Sequence, residues 1–414
     1  MRITALIVLG CLVMASGIEA AETIDRRFLE LSVQKEKHQG RKYVSDDEVC
    51  WLLERDGQLR NIELSQVTEF KQLGNTFRPY STNELRGRLL AEFGKGYEVD
   101  ARSNQVVIAP TGQAKGCAAV VETTAKSFTS YFGRRNLKLD KIETPLVTVV
   151  FKSHPEFLTY CDQDQIKQTN GLLGYYSPMT NRVALFLRAP ADKASSFSGD
   201  IDTPFSQALA GPLSQLTHFG VPPKSSGFVD TLAHETTHQL GFNVGLHSRL
   251  GDDPKWIIEG MAMLFEGDAN RDDTRDKTSV AQRMNRDRFI WFQEYQKVRR
   301  EPKSLEDFLT SDALFTSSTL DAYSEAWALT FFLAETRSAN LSTYLKKLAN
   351  RTDLGEYTPM KRLNDFKACF SKDIPSLEMQ YLRFMQELES TQSPATTATG
   401  PGQSPLDPPP VSSK

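Results

Sequence analysis

Cysteine, histidine and an excess of charge of one sign are all scarce in this sequence. The 414 residues include 5 cysteines and 6 histidines, and 49 basic residues nearly balance 52 acidic ones. No cysteine lies in a CxxC pair or at zinc-finger spacing, so a cysteine-based zinc module is excluded. No basic stripe is present either, which argues against nucleic acid as a partner. The hydrophobic fraction of 39% is typical of a soluble globular protein.

Long apolar runs are also missing, with one exception at the N-terminus. Residues 3–15 form a nearly unbroken apolar run after Arg2, and small residues follow. Because the run is short for a membrane helix, we predict a signal peptide over residues 1–20 and an exported, periplasmic or secreted protein. Lipidation at Cys11 is the alternative. No later stretch approaches the ~18–20 apolar residues of a membrane span.

The cysteines of the mature chain leave two alternatives open. Cys50, Cys117, Cys161 and Cys369 remain once the signal is removed. In an exported protein, four cysteines form two disulfides with three possible connectivities, or they stay as buried thiols.

The spacing of apolar and polar residues predicts short helices and hairpins in the first half of the chain and helices in the second. A charged helix is predicted at 23–38. The other elements predicted before residue 189 are hairpins at 49–67 and 96–110, helices at 82–93, 114–132 and 155–160, a strand at 146–151, and two strands within 171–188. After a connection rich in Pro, Gly and Ser at 189–226, helices are predicted at 227–240, 253–266, 279–299, 319–336, 340–350 and 374–389. The tail at 390–414 lacks aromatic residues and is predicted to be disordered.

The stretch TLAHETTHQL (231–240) carries the clearest indication of chemistry. His234 and His238 are four residues apart, so on a helix both imidazoles lie on one face and can bind a single ion. Apolar residues at helical spacing precede them, which supports a helix here. Zn²⁺ accepts neutral imidazole nitrogens at about 2.0–2.1 Å, a reach that suits this spacing.

A third ligand and a general base are available close by. A catalytic zinc has three protein ligands and an open position for water. The downstream stretch WIIEGMAMLFEG (256–267) supplies Glu259, which completes a His₂Glu site if its helix lies beside the first. Glu235 then remains free to take a proton from water and to pass it to a leaving amine.

The motif HETTH followed by WIIEGMA resembles the gluzincin metallopeptidases, the group that contains thermolysin-like and aminopeptidase N-like enzymes. The wider wording, LAHETTHQLGFN with PKWIIEGMAMLFE and YSEAWALTFFL, looks like an uncharacterised domain family of exported bacterial proteins. The similarity covers roughly residues 82–388. It implies His234, His238 and Glu259 as ligands of Zn²⁺ and Glu235 as the base.

The resemblance also implies an architecture. We expect an α+β, zincin-like metallopeptidase fold, with a small mixed sheet and an active-site helix followed by a mainly helical lobe, and a small hairpin-rich region before it. The expected domains are the signal peptide at 1–20, an N-terminal α/β region at 21–92, the metallopeptidase domain at 93–389 (sheet-bearing lobe 93–240, helical lobe 241–389) and the tail at 390–414.

Two further roles follow from the resemblance, each with an alternative. Aminopeptidase N-like enzymes stabilise the oxyanion with a tyrosine that lies some way beyond the third ligand, and Tyr323 in DAYSEAWALTFFL has a comparable place. Packing on a core helix is the alternative for Tyr323. The fold also places an edge strand above the active-site helix, where an extended peptide pairs with the main chain. VALFLR (183–188) is the best candidate, unless it is an ordinary strand of the sheet.

The sequence departs from the gluzincin pattern in two places. Thermolysin-like enzymes have an aspartate four residues after the third ligand that orients a zinc histidine, and here that position is Met263. Glu266 or Asp230 would have to replace it. No segment resembles the Gly-x-Met-Glu-Asn motif of aminopeptidases, which favours an endopeptidase. His247 lies three residues too late for the third ligand of a metzincin, so we expect a polar residue near the cleft.

These observations favour an exported zinc metallopeptidase that acts as an endopeptidase on peptide or protein substrates. Two alternatives remain at this stage. One is a degenerate gluzincin fold that serves as a binding or scaffold module, and the other is a zinc hydrolase of a non-peptide amide.

Overall fold

The structure is a computed structural model that describes residues 25–135, 137–167, 169, 171–187, 227–266, 279–351 and 356–392. It is a mixed α+β protein that divides into two compact units, Met1–Pro79 and Tyr80–Lys414. This division lies before the domain boundary expected at 92/93. Within the described ranges, no helix combines the length and apolar character needed to cross a membrane.

The described part of the first unit is one antiparallel sheet. Its strands are β1 (Phe28–Val33), β2 (Glu36–Ser45), β3 (Val49–Glu54), β4 (Leu59–Glu63) and β5 (Val67–Gly74), in the spatial order β4-β3-β2-β1-β5. The hairpin predicted around Asp56 and Gly57 is confirmed as β3 and β4. Gly57 has φ +92°, the left-handed conformation that a tight turn requires and glycine adopts without strain.

The helix predicted at 23–38 is wrong where the structure describes it, because residues 28–38 belong to β1 and β2. These strands are joined by Gln34 and Lys35, whose φ values are 49° and 78°. Two consecutive left-handed residues form the turn whose twist suits an antiparallel hairpin. Gln-Lys lacks the Asn-Gly or Asp-Gly signature of such turns, and the charged residues around it suggested a helix instead.

The second unit begins with a five-stranded mixed sheet covered by helices. Its elements are α1 (Thr82–Phe93), β6 (Tyr97–Arg102), β7 (Gln105–Pro110), α2 (Ala114–Gly133), β8 (Leu146–Phe151), α3 (His154–Gln163), β9 (Gly174–Ser177), β10 (Arg182–Phe186) and α4 (Gly227–Asn243). The strand order is β6-β7-β8-β10-β9, with β7, β8 and β10 parallel and both outer strands antiparallel to their neighbours. Every element predicted between residues 82 and 188 is confirmed in type.

Alternation along the central strands explains how the sheet is covered on both faces. Val106 and Ile108 of β7 belong to a buried cluster with α1 and α3. Val107 and Ala109, between and after them, belong to a second buried cluster with α2 and α4. Because successive side chains of a strand point to opposite faces, such a doubly covered strand is apolar throughout. The helix α4 with the HETTH motif is therefore packed directly on the sheet.

The edge strand predicted at 183–188 is wrong. Strand β10 pairs with β8 on one side and with β9 on the other, so it lies inside the sheet. Among the described residues, β9 is the edge strand next to α4. The uniformly apolar side chains of Val183, Ala184 and Leu185 are fully buried, as expected of an internal strand.

The rest of the second unit is helical. It contains α5 (Lys255–Met263), α6 (Arg286–Val298), α7 (Leu305–Thr310), α8 (Leu314–Ser317), α9 (Thr319–Thr336), α10 (Ser338–Ala349), α11 (Pro359–Cys369) and α12 (Ile374–Gln392). Helix α9 is buried along most of its length and contacts α5, α6, α10 and α12. It is therefore the centre of the helical lobe, around which the other helices pack.

Several helix boundaries differ from those predicted. The helix predicted at 279–299 is interrupted, because Met284 is extended and Asn285 caps α6 by accepting a hydrogen bond from the backbone N–H of Arg288. Helices α7, α8 and α11 were not predicted, since each is too short to show a sustained period. Residues 390–392 belong to α12, whereas the rest of the predicted tail, the predicted signal peptide and the connection at 189–226 lie outside the described residues.

The four cysteines of the described residues, Cys50, Cys117, Cys161 and Cys369, are buried free thiols in this structure. Cys50 lies in the first unit, Cys117 and Cys161 pack on opposite faces of the mixed sheet, and Cys369 ends α11. Of the two alternatives that the sequence left open, the structure therefore has the buried thiols.

Candidate metal centre

The two histidines of HETTH converge on one face of α4. His234 Nε2 lies 3.0 Å from His238 Nε2, and the two ring centroids are 4.6 Å apart. Both residues are 8% exposed, so the imidazoles lie at the edge of the core and still reach solvent. This is the arrangement that the four-residue spacing predicted.

Glu259 reaches the same point from α5. Its Oε2 lies 3.2 Å from His234 Nε2 and 3.4 Å from His238 Nε2. The next residue, Gly260, allows α5 to approach α9 closely, because a Cβ atom there would meet the Thr330 side chain and the backbone carbonyl of Ala326. The close packing of the two helices thus sets the position of Glu259.

The three donor atoms have the spacing of a tetrahedral zinc site. Donors at about 2.0–2.1 Å from one ion in tetrahedral geometry lie about 3.3 Å from each other. The three separations among His234 Nε2, His238 Nε2 and Glu259 Oε2 are 3.0, 3.2 and 3.4 Å. Two imidazoles and a carboxylate are also the donor set of known catalytic zinc sites, so the residues fit this metal.

Glu266 determines how His234 presents its ring. Its Oε1 lies 2.7 Å from His234 Nδ1, which assigns the proton of the neutral imidazole to Nδ1 and leaves the Nε2 lone pair facing the cluster. Of the two carboxylates that could replace the missing aspartate, Glu266 and Asp230, it is Glu266 that contacts His234 Nδ1. Met263, at the position where thermolysin-like enzymes have the aspartate, is fully buried in the helical core.

The electrostatics of the cluster favour a cation. Burial lowers the pKa of His234, but hydrogen bonds with Glu259 and Glu266 outweigh it and raise that pKa to about 10. Burial opposes ionisation of both glutamates, yet His238 and His234 hold the pKa of Glu259 well below its usual range, and Arg288 does the same for Glu266. Both carboxylates therefore stay ionised at neutral pH, and the field that favours a proton also favours a metal ion.

Glu235 follows the first histidine but faces the sheet side of the cluster. Burial raises the pKa of Glu235, while His234 and His238 oppose that rise. The backbone N–H of Tyr176, in the edge strand β9, donates a hydrogen bond to the Glu235 carboxylate. The cluster of ligand atoms consists of His234, His238 and Glu259 and does not include Glu235, so the Glu235 carboxylate is available to accept a proton beside it.

Tyr323 lies next to the cluster on α9. Its ring centroid is 6.5 Å from that of His234. The guanidinium carbon of Arg288 lies over the Tyr323 ring, 5.5 Å from the ring centroid. The negative charge of Glu259 and burial raise the pKa of Tyr323 well above its usual value, so the phenol keeps its proton. The position of Tyr323 suits a phenol that donates a hydrogen bond to a group bound beside His234, His238 and Glu259.

His247 does not join the cluster. It is buried against Gly241 and Phe242, and its Nδ1 lies 3.8 Å from Asp253 Oδ2. Burial lowers the pKa of His247 to about 3, so it stays neutral. We expected His247 to be a polar residue near the cleft, and this expectation is wrong because His247 is buried in the core.

The residues that hold Glu266 were not predicted from the sequence. Arg288 and Asn285, both in the first turn of α6, contact its carboxylate. Neither belongs to a recognisable motif, and both lie about twenty residues along the chain from Glu266. The only signal in the sequence is that the polar residues Asn285 and Arg288 follow the segment that carries the candidate carboxylate Glu266.

A protein-family model matches part of the chain. Residues 228–355 match a family described as "Protein of unknown function (DUF1570)", so a domain of that family lies in this part of the chain. The matched range contains all the residues of the candidate site, His234, Glu235, His238, Glu259 and Tyr323. No curated protein matches the chain. Because the family description gives no activity, the function is inferred from the residues of the site.

Proposed function

We propose that this protein is an exported zinc-dependent metallopeptidase that hydrolyses internal peptide bonds. The observation that carries the proposal is the triangle formed by His234, His238 and Glu259, whose sides of 3.0, 3.2 and 3.4 Å suit one tetrahedral ion. The resemblance of HETTH and WIIEGMA to gluzincins supports the same reading, as does the presence of a further acid beside the triangle.

His234, His238 and Glu259 would hold the zinc ion. Zinc in such a site supplies Lewis acidity, which polarises a carbonyl and makes water nucleophilic near neutral pH. Glu259 is the only charged donor among the three, so a Zn²⁺ ion held by two neutral imidazoles and this carboxylate would carry a net charge of +1. That charge favours the developing oxyanion of a peptide bond under attack.

Glu235 would act as the general base. Its carboxylate accepts the proton of the attacking water and then donates that proton to the nitrogen of the scissile bond, so that the amine can leave. Burial raises the pKa of Glu235, which makes its carboxylate a stronger base toward the attacking water. The hydrogen bond from the Tyr176 backbone fixes the carboxylate during both transfers.

Tyr323 would donate a hydrogen bond to the oxyanion. The phenol is protonated because its pKa lies well above the usual value, and it lies beside His234. Strand β9 offers the surface for the substrate backbone, because among the described residues it is the edge strand that lies next to α4 and it contacts Glu235 through Tyr176. An extended peptide on β9 would present its carbonyl to the cluster.

The proposal is tested by mapping cleavage products in a mixed peptide pool by mass spectrometry. The mature, zinc-loaded protein is compared with Glu235→Gln and with a matched control, Glu301→Gln, which changes an exposed glutamate. We expect internal cuts by the wild type and the control and none by Glu235→Gln. Trimming at chain ends would contradict the endopeptidase assignment, and the absence of any cut by zinc-loaded wild type would contradict the peptidase assignment.

A further inference from the structure

The guanidinium of Arg288 links the metal cluster to the candidate oxyanion donor. Arg288 Nε lies 2.8 Å from Glu266 Oε2, and Arg288 Nη2 lies 3.0 Å from Glu266 Oε1. The same guanidinium lies 5.5 Å from the ring centroid of Tyr323. Two parallel N–H···O bonds between arginine and carboxylate fix both the distance and the plane of the carboxylate.

The carboxylate of Glu266 is saturated with donors. Oε1 accepts from His234 Nδ1 at 2.7 Å as well as from Arg288, and Oε2 also accepts from Asn285 Nδ2 at 3.3 Å. The side chains are sheltered, with exposed fractions of 11% for His234, 14% for Glu266 and 25% for Arg288. A carboxylate held in this way has one orientation, and that orientation sets the ring of His234.

Of the two imidazoles of the cluster, only that of His234 is held at Nδ1 by a carboxylate of the described residues. Within the described residues, the Nδ1 atom of His238 has no hydrogen-bond partner. Met263, where related sites have an orienting aspartate, is apolar and buried. Among the described residues, Glu266 is thus the carboxylate that orients the His234 imidazole, and Glu266 is itself held by Arg288 and Asn285 at the start of α6.

We propose that Arg288 is a positioning residue that acts through Glu266 on His234 and thereby sets the affinity of the cluster for zinc. This inference rests on the proposed function, since it takes zinc as the ion. Partners that orient metal ligands typically contribute about 10–100-fold to metal affinity. Without the guanidinium, Glu266 loses the bidentate contact that fixes its plane, and the Nε2 lone pair of His234 loses its fixed orientation.

The experiment measures zinc affinity by competition with a chromophoric chelator, using the mature protein. Arg288→Met, Glu266→Gln and the double variant are compared with the wild type. We expect zinc binding to weaken about 10–100-fold in each single variant. Because both act through one contact, the double variant should be no more than about twofold weaker than the worse single variant. Additive losses, or wild-type affinity in Arg288→Met, would overturn the proposal.

Two controls separate positioning from folding. Arg286→Met changes an exposed arginine on the same turn of α6 and should keep wild-type zinc affinity. Unfolding in the presence of a strong chelator shows whether Arg288→Met is folded without metal. If it is not, Arg288→Lys takes its place, since lysine keeps the charge but loses the bidentate contact, and we expect zinc affinity between that of the wild type and that of Glu266→Gln.

The outcomes also distinguish this inference from the proposed function. A wild-type protein that binds no zinc contradicts the proposed function itself. A wild type that binds zinc and an Arg288→Met variant that binds it equally well contradict only the role of Arg288.

Discussion

The close contact of α5 with α9 leads to a prediction about Gly260. In Gly260→Ala, the new Cβ atom overlaps the Thr330 side chain and lies 2.5 Å from the backbone carbonyl of Ala326. The hydroxyl can rotate, but the carbonyl belongs to α9 and cannot, so the two helices must separate. Overpacking of this kind costs about 1–3 kcal/mol. Alanine in a helix recovers about 0.5–1 kcal/mol relative to glycine, so we expect a net loss of about 1–2 kcal/mol.

Gly87 provides the matched control. It also lies in a helix, but nothing lies within 4 Å of the Cβ that Gly87→Ala would add. This variant should gain about 0.5–1 kcal/mol, and because the same gain applies to Gly260→Ala, the two variants should differ by the overpacking cost of about 1–3 kcal/mol. The assay is chemical unfolding with a chelator present, which removes any contribution of metal binding. A Gly260→Ala variant as stable as Gly87→Ala would refute the claim that this glycine sets the approach of Glu259.

Three further predictions concern single residues. Gln239→Leu should lower the free energy of unfolding by about 2 kcal/mol in thermal or chemical unfolding, because Gln239 Nε2 donates to the buried carbonyls of Val147 and Asn181 at 3.0 and 2.8 Å. Burial raises the pKa of Asp253 to about 6, so the native state binds this proton more tightly than the unfolded chain does. Its contribution to stability is present at low pH and lost as the pH rises through about 6, and the stability of metal-free Asp253→Asn relative to wild type should increase by about 2.5 kcal/mol from about pH 4 to about pH 7. Tyr323→Phe should lower kcat about 100-fold at unchanged zinc content, and an unchanged kcat would contradict its oxyanion role.

The convergence of His234, His238 and Glu259 is predictable from the sequence because each step is local. The spacing of the histidines places both imidazoles on one helix face, and the glutamate lies on the next helix along the chain. The apolar strands of the mixed sheet are predictable for the same reason, since their residue types and flanking turns show in the sequence.

The features that the sequence does not reveal depend on tertiary contacts. The first hairpin turns at Gln34 and Lys35, whose left-handed backbone is favoured by the sheet and not by the residue types. The identity of the edge strand depends on whether β9 pairs outside β10, which no residue of β10 indicates. The contact of Arg288 with Glu266 joins α6 to the segment that follows α5, so only the packing of the helical lobe brings these side chains together.

The central claim, that His234, His238 and Glu259 form one zinc site, is tested most directly by metal analysis of purified mature protein. We expect about one zinc per chain in the wild type, as in other three-ligand sites, and little in His238→Ala. His154→Ala, which changes an exposed histidine outside the cluster, should retain wild-type zinc. Zinc in His238→Ala at the wild-type level would contradict the account.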